Sequence, residues 1–126
     1  MNTLWIMVAV AVIVYMVYRM IPAKGVKSIE TDELKELLKD KKNSHQFIDV
    51  REAAEYRAGH VPGFKNISLS QIHKRMNDIT QDKPVVLMCR SGNRSMQAAR
   101  ILKKNGYNDI INVAGGMMRW KGSVER

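Results

Sequence analysis

The sequence predicts a parallel α/β sheet with a reactive cysteine at a strand end, preceded by one membrane-spanning helix. Three observations carry that prediction. From about residue 30 onward, short apolar runs suited to strands alternate with stretches of helical periodicity. One run, Pro84-Val85-Val86-Leu87-Met88, is continuously apolar, as a strand covered on both faces must be. The one cysteine, Cys89, follows it directly and opens the polar loop Arg90-Ser91-Gly92-Asn93-Arg94. In open parallel sheets ligands bind beyond the C-terminal strand ends, which is where this cysteine falls.

A length of 126 residues allows one compact domain and an appendage. Residues 1–22 read as a membrane anchor, 23–27 as a linker and 28–126 as the α/β domain. Lys and Arg number 21 against 12 Asp and Glu, a formal charge of +9. Arg19 is the one basic residue before position 23, so residues 23–126 still carry +8. Such a surface favours small anions or an anionic membrane face. Nucleic acid is disfavoured, because the basic residues are scattered and no recognition helix or stacking motif accompanies them. A single cysteine forms no internal disulfide, and His45, His60 and His73 stand apart from any metal-ligand spacing. No cofactor is implied.

Leu4 to Tyr18 is uncharged and apolar all round, and Met20 and Ile21 extend it past Arg19 to a stop at Pro22. As a helix, residues 4–21 span roughly 27 Å, near the ~30 Å of a hydrocarbon core if Arg19 snorkels. Trp5, Tyr15 and Tyr18 suit interfacial belts. A cleavable signal peptide competes, since Ala23-Lys24-Gly25 offers a small-x-small site, but no basic residue precedes the apolar run. Arg19, Lys24 and Lys27 all follow it, which predicts a single-pass cell-membrane protein with its domain in the cytoplasm.

Thr31 reads as an N-cap, with Asp32 and Glu33 in the first turn and Leu34, Leu37 and Leu38 at helical spacing. The lysine-rich stretch from Lys39 to Asn43 ends that helix. Gln46 to Val50 is a short buried strand, Glu52 to Ala58 a helix stopped at Gly59, and Val61-Pro62-Gly63 a turn. Asn66-Ile67-Ser68 is extended, and Ser70 caps a helix through Met76. After the cysteine loop a helix buries Ala98, Ile101 and Leu102 and stops at Asn105-Gly106. Asp109 to Val113 is the last strand, and Gly115-Gly116 turns into a short helix that carries Trp120.

An ordinary cysteine has a pKa of about 8.5 and is mostly protonated at neutral pH. Ionising it requires a drop of about two units, roughly 2.7 kcal/mol. A helix N-terminus contributes about 0.3–2 kcal/mol, so Arg90 or Arg94 must supply the rest. Gly92 lets successive N–H groups converge into an anion nest, and Ser91 and Ser95 add hydroxyl donors.

Cys-Arg-Ser-Gly-Asn-Arg-Ser at 89–95 resembles the active-site loop of single-domain rhodaneses. The likeness extends to Asp49-Val50-Arg51-Glu52, Glu55-Tyr56, Gly59-His60-Val61-Pro62-Gly63, Asn66, Gly115-Gly116 and Trp120. It covers residues 26–122 and leaves the N-terminal helix aside. The resemblance implies a rhodanese-like fold, a five-stranded parallel sheet flanked by helices on both faces. It implies Cys89 as nucleophile and sulfur carrier, taking sulfur from a donor such as thiosulfate. The acceptor is then cyanide, a low-molecular-weight thiol or a thioredoxin-like protein. Residues 90–94 become the substrate cradle, and Asp49, Arg51 and His60 structural supports. Asp49 and Arg51 are close enough in sequence to pair, and Trp120 reads as a packing anchor.

Two rivals remain. Phosphatases and arsenate reductases of this fold place five residues between Cys and Arg, whereas four separate Cys89 from Arg94. The shorter loop makes a smaller nest, suited to sulfur. A membrane-tethered binding module or persulfide relay for a partner protein is the second, although binding modules of this kind often lack the cysteine.

Overall fold

The computed structural model describes residues 2–20, 25–40, 42 and 44–126, with only the backbone of Arg19 and Met20. Helix α1 (Asn2–Met20) is followed by β1 (Val26–Ile29), α2 (Thr31–Leu38), β2 (Gln46–Asp49) and α3 (Ala53–Ala58). Next come β3 (Lys65–Asn66), two 3₁₀ turns, β4 (Val85–Met88), α4 (Asn93–Lys104), β5 (Ile110–Val113) and α5 (Gly116–Arg119). The five strands form one sheet in the order β1-β5-β4-β2-β3. Every pairing is parallel.

The four residues of β4 are all buried, as a central strand with both faces covered requires. One face packs Val85, Leu87 and Ile110 against Ala98, Ala99 and Leu102 of α4. The other packs Val86, Met88 and Ile111 against Leu34 of α2 and against Val61 and Phe64. From β2 the chain goes outward to β3, and from β4 it goes the opposite way to β5. The loops after β2 and β4 therefore diverge and leave a crevice between them, the usual ligand site of an open parallel sheet.

Several expectations change. Strand β1 starts at Val26, inside the stretch read as linker, and pairs residues 26–29 with 110–113. Glu30, not Thr31, is the N-cap of α2, because the Thr31 hydroxyl donates instead to the Arg119 carbonyl at 3.3 Å. The helix expected from Ser70 to Met76 is replaced by 3₁₀ turns at Leu69–Gln71 and Met76–Asp78. Ile72 and Ile79 are buried there without a continuous helical stripe.

All described side chains of α1, Asn2 to Tyr18, are exposed. Among the described residues no helix is long and apolar enough to cross a membrane. The span expected over residues 4–21 is therefore not found among the described residues. The Arg19 side chain, the stop at Pro22, the Ala23-Lys24 site, Lys41 and Asn43 lie outside the described residues.

Candidate active site

Cys89 leaves the C-terminal end of β4 and is only 1% exposed. Gly92 turns the loop with φ +103° and serves as the N-cap of α4. An L side chain seldom adopts that φ, and glycine adopts it freely. The turn brings the Gly92 N–H to 3.0 Å from the Cys89 Sγ, donating to it. Ser95, one helical turn on and fully buried, places its Oγ 3.3 Å from the same sulfur. That hydroxyl also donates to the Gly92 carbonyl at 3.1 Å. In the thiol state Cys89 S–H can donate to the Ser95 oxygen. In the thiolate state the Ser95 O–H can rotate onto the sulfur. The site can thus accommodate both protonation states with little movement of heavy atoms.

The loop is locked from behind by α5. The Met117 and Met118 N–H groups donate to the carbonyls of Cys89 and Arg90 at 2.9 and 3.0 Å. Gly116 makes this approach possible: a Cβ there would lie 2.2 Å from the Cys89 carbonyl oxygen. Asn112 of β5 sits beneath the loop, 3% exposed, with its Nδ2 3.5 Å from the Gly92 carbonyl.

The two arginines of the loop have different surroundings. Arg94 donates to both carboxylate oxygens of Glu55 in α3, at 2.6 and 3.0 Å. Hydrogen bonding from Arg94 holds the Glu55 carboxyl down at about 2, well below its ordinary 4.5. The same bond raises the Arg94 pKa, and the nearby Cys89 charge adds to that rise. Glu55 also accepts from the Glu52 N–H at 3.1 Å, closing a capping box on α3. The sequence analysis did not place Glu55 in the site, although Glu55-Tyr56 is among the residues that carry the family resemblance. Arg90 and Ser91 are exposed, and Arg90 has no ion pair among the described residues. Asn93, also exposed, is the first residue of α4.

The residues expected as supports form a second layer. Asp49 and Arg51 pair in the interior, with Arg51 Nε at 3.0 Å and Nη2 at 2.9 Å from the carboxylate oxygens of Asp49. They are 1% and 6% exposed, and Arg51 also donates to the Gly59 carbonyl at 2.8 Å. Removing either partner would strand a buried charge, at a cost of about 3–5 kcal/mol. Asn66 bridges the carbonyls of Asp49 and Arg51 with its amide at 3.0 and 2.9 Å. His60 has the partner that its sequence position did not reveal. Its ring stacks on Tyr56 with centroids 3.7 Å apart, and its Nε2 lies 3.6 Å from Glu125. Trp120 is packed against the core cluster on the α2 face. Among the described residues no group of three or more His, Cys, Asp or Glu could hold a metal ion.

Comparison with known proteins agrees with this geometry. The family model described as the rhodanese-like domain matches residues 30–123. An uncharacterised Bacillus subtilis protein, YqhL, is 48% identical over 64% of this chain and 64% of its own length. The putative sulfur carrier protein YrkF of the same organism is 37% identical, over 82% of this chain and 55% of its own. The chain thus spans roughly three fifths of the length of these two relatives. The putative sulfurtransferase YtwF of Bacillus subtilis is 37% identical over 79% of this chain and 95% of its own. Among solved structures, the rhodanese-like domain protein of Staphylococcus aureus superposes with a TM-score of 0.72 at 37% identity, covering 79% of this chain and 96% of that one. With its cysteine cradle at the crevice of a five-stranded parallel sheet, this chain belongs to the rhodanese-like domain family.

Proposed function

We propose that this domain is a sulfurtransferase that moves sulfane sulfur through a persulfide on Cys89. The observation that carries the reading is the convergence of the Gly92 N–H and the Ser95 hydroxyl on one buried sulfur, at 3.0 and 3.3 Å. The Gly92 N–H donates to the sulfur and the Ser95 hydroxyl can rotate onto it, so together they stabilise its anion without a histidine base. The Cys89 thiolate attacks the sulfane sulfur of a donor such as thiosulfate. The donor S–S bond breaks and sulfite leaves with the electron pair, while Cys89 keeps the sulfur as a persulfide. A thiophilic acceptor, cyanide or a thiolate, then attacks the outer sulfur and returns the electron pair to Cys89. Intact-mass measurement after thiosulfate should find one added sulfur atom in the wild type and none in Cys89→Ser. A serine variant that still turned over thiosulfate and cyanide would sink the mechanism.

Phosphoryl chemistry fits less well. It needs the loop arginine free to grip phosphate oxygens, and Glu55 already takes both terminal nitrogens of Arg94. A sulfur relay to a partner protein is a second reading, supported by the sulfur-carrier name of one relative. It uses the same persulfide and differs only in the acceptor.

We further propose that α1 holds the domain at the cytoplasmic face of a membrane. The reading is supported by Leu4, Trp5, Ile6, Val10 and Ile13, which are all exposed to whatever surrounds the helix. Lys24 and Lys27 on its C-terminal side favour the cytoplasmic orientation. Peptides from before Pro22 recovered from carbonate-washed membranes would support this; recovery of the intact chain only in the soluble fraction would overturn it.

A further inference from the structure

A cleft of about 640 Å³ borders the cysteine loop, walled by Glu30, Ser91, Ala114, Gly115, Met118 and Arg119. Ser91 belongs to the cysteine loop, so the cleft and the cradle share a wall. Arg119 folds back over the turn: a Cβ on Gly115 would lie 2.4 Å from the Arg119 Cδ. Its backbone carbonyl accepts from the Thr31 hydroxyl at 3.3 Å, which ties the turn bearing Arg119 to the residue after Glu30. Met118, 68% exposed, adds an apolar patch.

Glu30 and Arg119 carry opposite charges and line the same cleft, yet they form no ion pair, and no other described residue pairs with either. A ligand with one charge gains from one wall and is repelled by the other. A ligand with both charges gains from both, and such paired attraction and repulsion is how a site discriminates among small molecules.

We propose that this cleft seats the sulfur acceptor and selects a low-molecular-weight thiol whose head bears both a carboxylate, held by Arg119, and an ammonium, held by Glu30. The proposal rests on the persulfide reading of Cys89. The acceptor thiolate attacks the outer sulfur of the Cys89 persulfide and forms a new S–S bond. The Cys89 S–S bond breaks and its electron pair returns to the Cys89 sulfur. The persulfide proton stays with the transferred sulfur, so the product is the acceptor's own persulfide and no oxidant or reductant is consumed.

The test loads the full chain with thiosulfate, removes excess donor and follows a single discharge. The acceptors are L-cysteine and glutathione (both charges), 3-mercaptopropionate (anion only), cysteamine (cation only) and 2-mercaptoethanol (neutral). Rates are compared at equal thiolate concentration. The two zwitterionic thiols should exceed the other three by at least tenfold. Arg119→Glu should cut the ratio of glutathione to 2-mercaptoethanol rates at least tenfold, and Glu30→Gln should cut it about fivefold while raising the 3-mercaptopropionate rate. Both residues are exposed, so neither change threatens the fold. A chain that never loads sulfur overturns the persulfide and the acceptor readings together. One that loads, discharges to cyanide and yet treats all five thiols alike overturns the acceptor reading alone.

Discussion

Glu55 and Arg94 meet fork to fork across the mouth of the cysteine loop, with N–O distances of 2.6 and 3.0 Å. The pair joins the first turn of α3 to the first turn of α4, so the two loops that leave the sheet at the crevice are stapled together. Roughly a third of each side chain is exposed, which moderates its energetic worth. Glu55→Gln should cost about 1–2 kcal/mol at neutral pH, between a surface pair and a well-formed charged hydrogen bond.

The sign of the pH dependence follows from the lowered carboxyl, about 2 in the fold against an ordinary 4.5. Between those values the unfolded chain binds the proton first, so the contribution is complete above about pH 4.5 and disappears as pH falls toward 2. Urea titrations of both proteins should therefore differ at pH 7 and converge near pH 2. A gap that persisted in full at pH 2 would mean that the pair is not its source.

Gly116 permits the closest backbone approach at the site. A Cβ at this position would stand 2.2 Å from the Cys89 carbonyl oxygen and 2.8 Å from that of Arg90, both main-chain atoms, at φ +51°. Gly116→Ala must push α5 away from the loop and break the bonds from Met117 and Met118. Persulfide formation should fall at least a hundredfold. Gly115→Ala makes a useful contrast. Its Cβ would meet the Arg119 side chain, which can swing aside, at φ +80°. That change should cost about 1–2 kcal/mol of stability from the backbone conformation alone and leave the loop bonded. Equal losses of sulfur loading in the two variants would contradict the assigned role of Gly116.

How far these features could be read from sequence depends on whether their cause is local. The run Pro84–Met88 is apolar without a break, so its burial on both faces was legible, and so was the cysteine at its end. Asp49 and Arg51 are two residues apart and their pairing needs no knowledge of the fold. Strand β1 escaped notice because Val26-Lys27-Ser28-Ile29 buries only its first and last residues, a pattern too short to show a period. Ser70 to Met76 has apolar spacing that suits a helix, yet the tight path between β3 and β4 is made of 3₁₀ turns. Glu55 and Arg94 are 39 positions apart, and a glutamate in an amphipathic helix looks the same whether it faces water or an arginine. Only the sheet order brings α3 beside α4.

Among the described residues Ser95 supplies the one side-chain hydrogen bond to the sulfur, and its hydroxyl is fully buried between Cys89 and the Gly92 carbonyl. Ser95→Ala removes a single oxygen from a packed site. The Gly92 carbonyl keeps the Met96 N–H at 3.1 Å, so no acceptor is orphaned. Stability should fall by about 1 kcal/mol, whereas the thiolate loses one of its two donors. Thiosulfate-dependent sulfur loading should slow about ten- to a hundredfold. A loss of stability with unchanged sulfur loading would assign Ser95 to packing only.

Arg90 and Arg94 flank the same nest, but only Arg90 is exposed and without an ion pair among the described residues. An anionic donor arriving from solvent therefore meets the Arg90 charge first, while Arg94 is already committed to Glu55. Arg90→Ala should raise the KM for thiosulfate about tenfold with a smaller change in kcat, because the lost contact is made in the ground state as much as in the transition state. Rising salt should weaken thiosulfate binding in the wild type and do so less in the variant, since the screened charge is gone. Arg94→Ala should behave differently. It strands the Glu55 carboxylate, lowers stability by about 1–2 kcal/mol and depresses kcat through the disordered first turn of α4. If instead Arg94→Ala raised KM alone and Arg90→Ala left KM unmoved, the two arginines would have to exchange roles, and the Glu55 fork would have to open during each catalytic cycle.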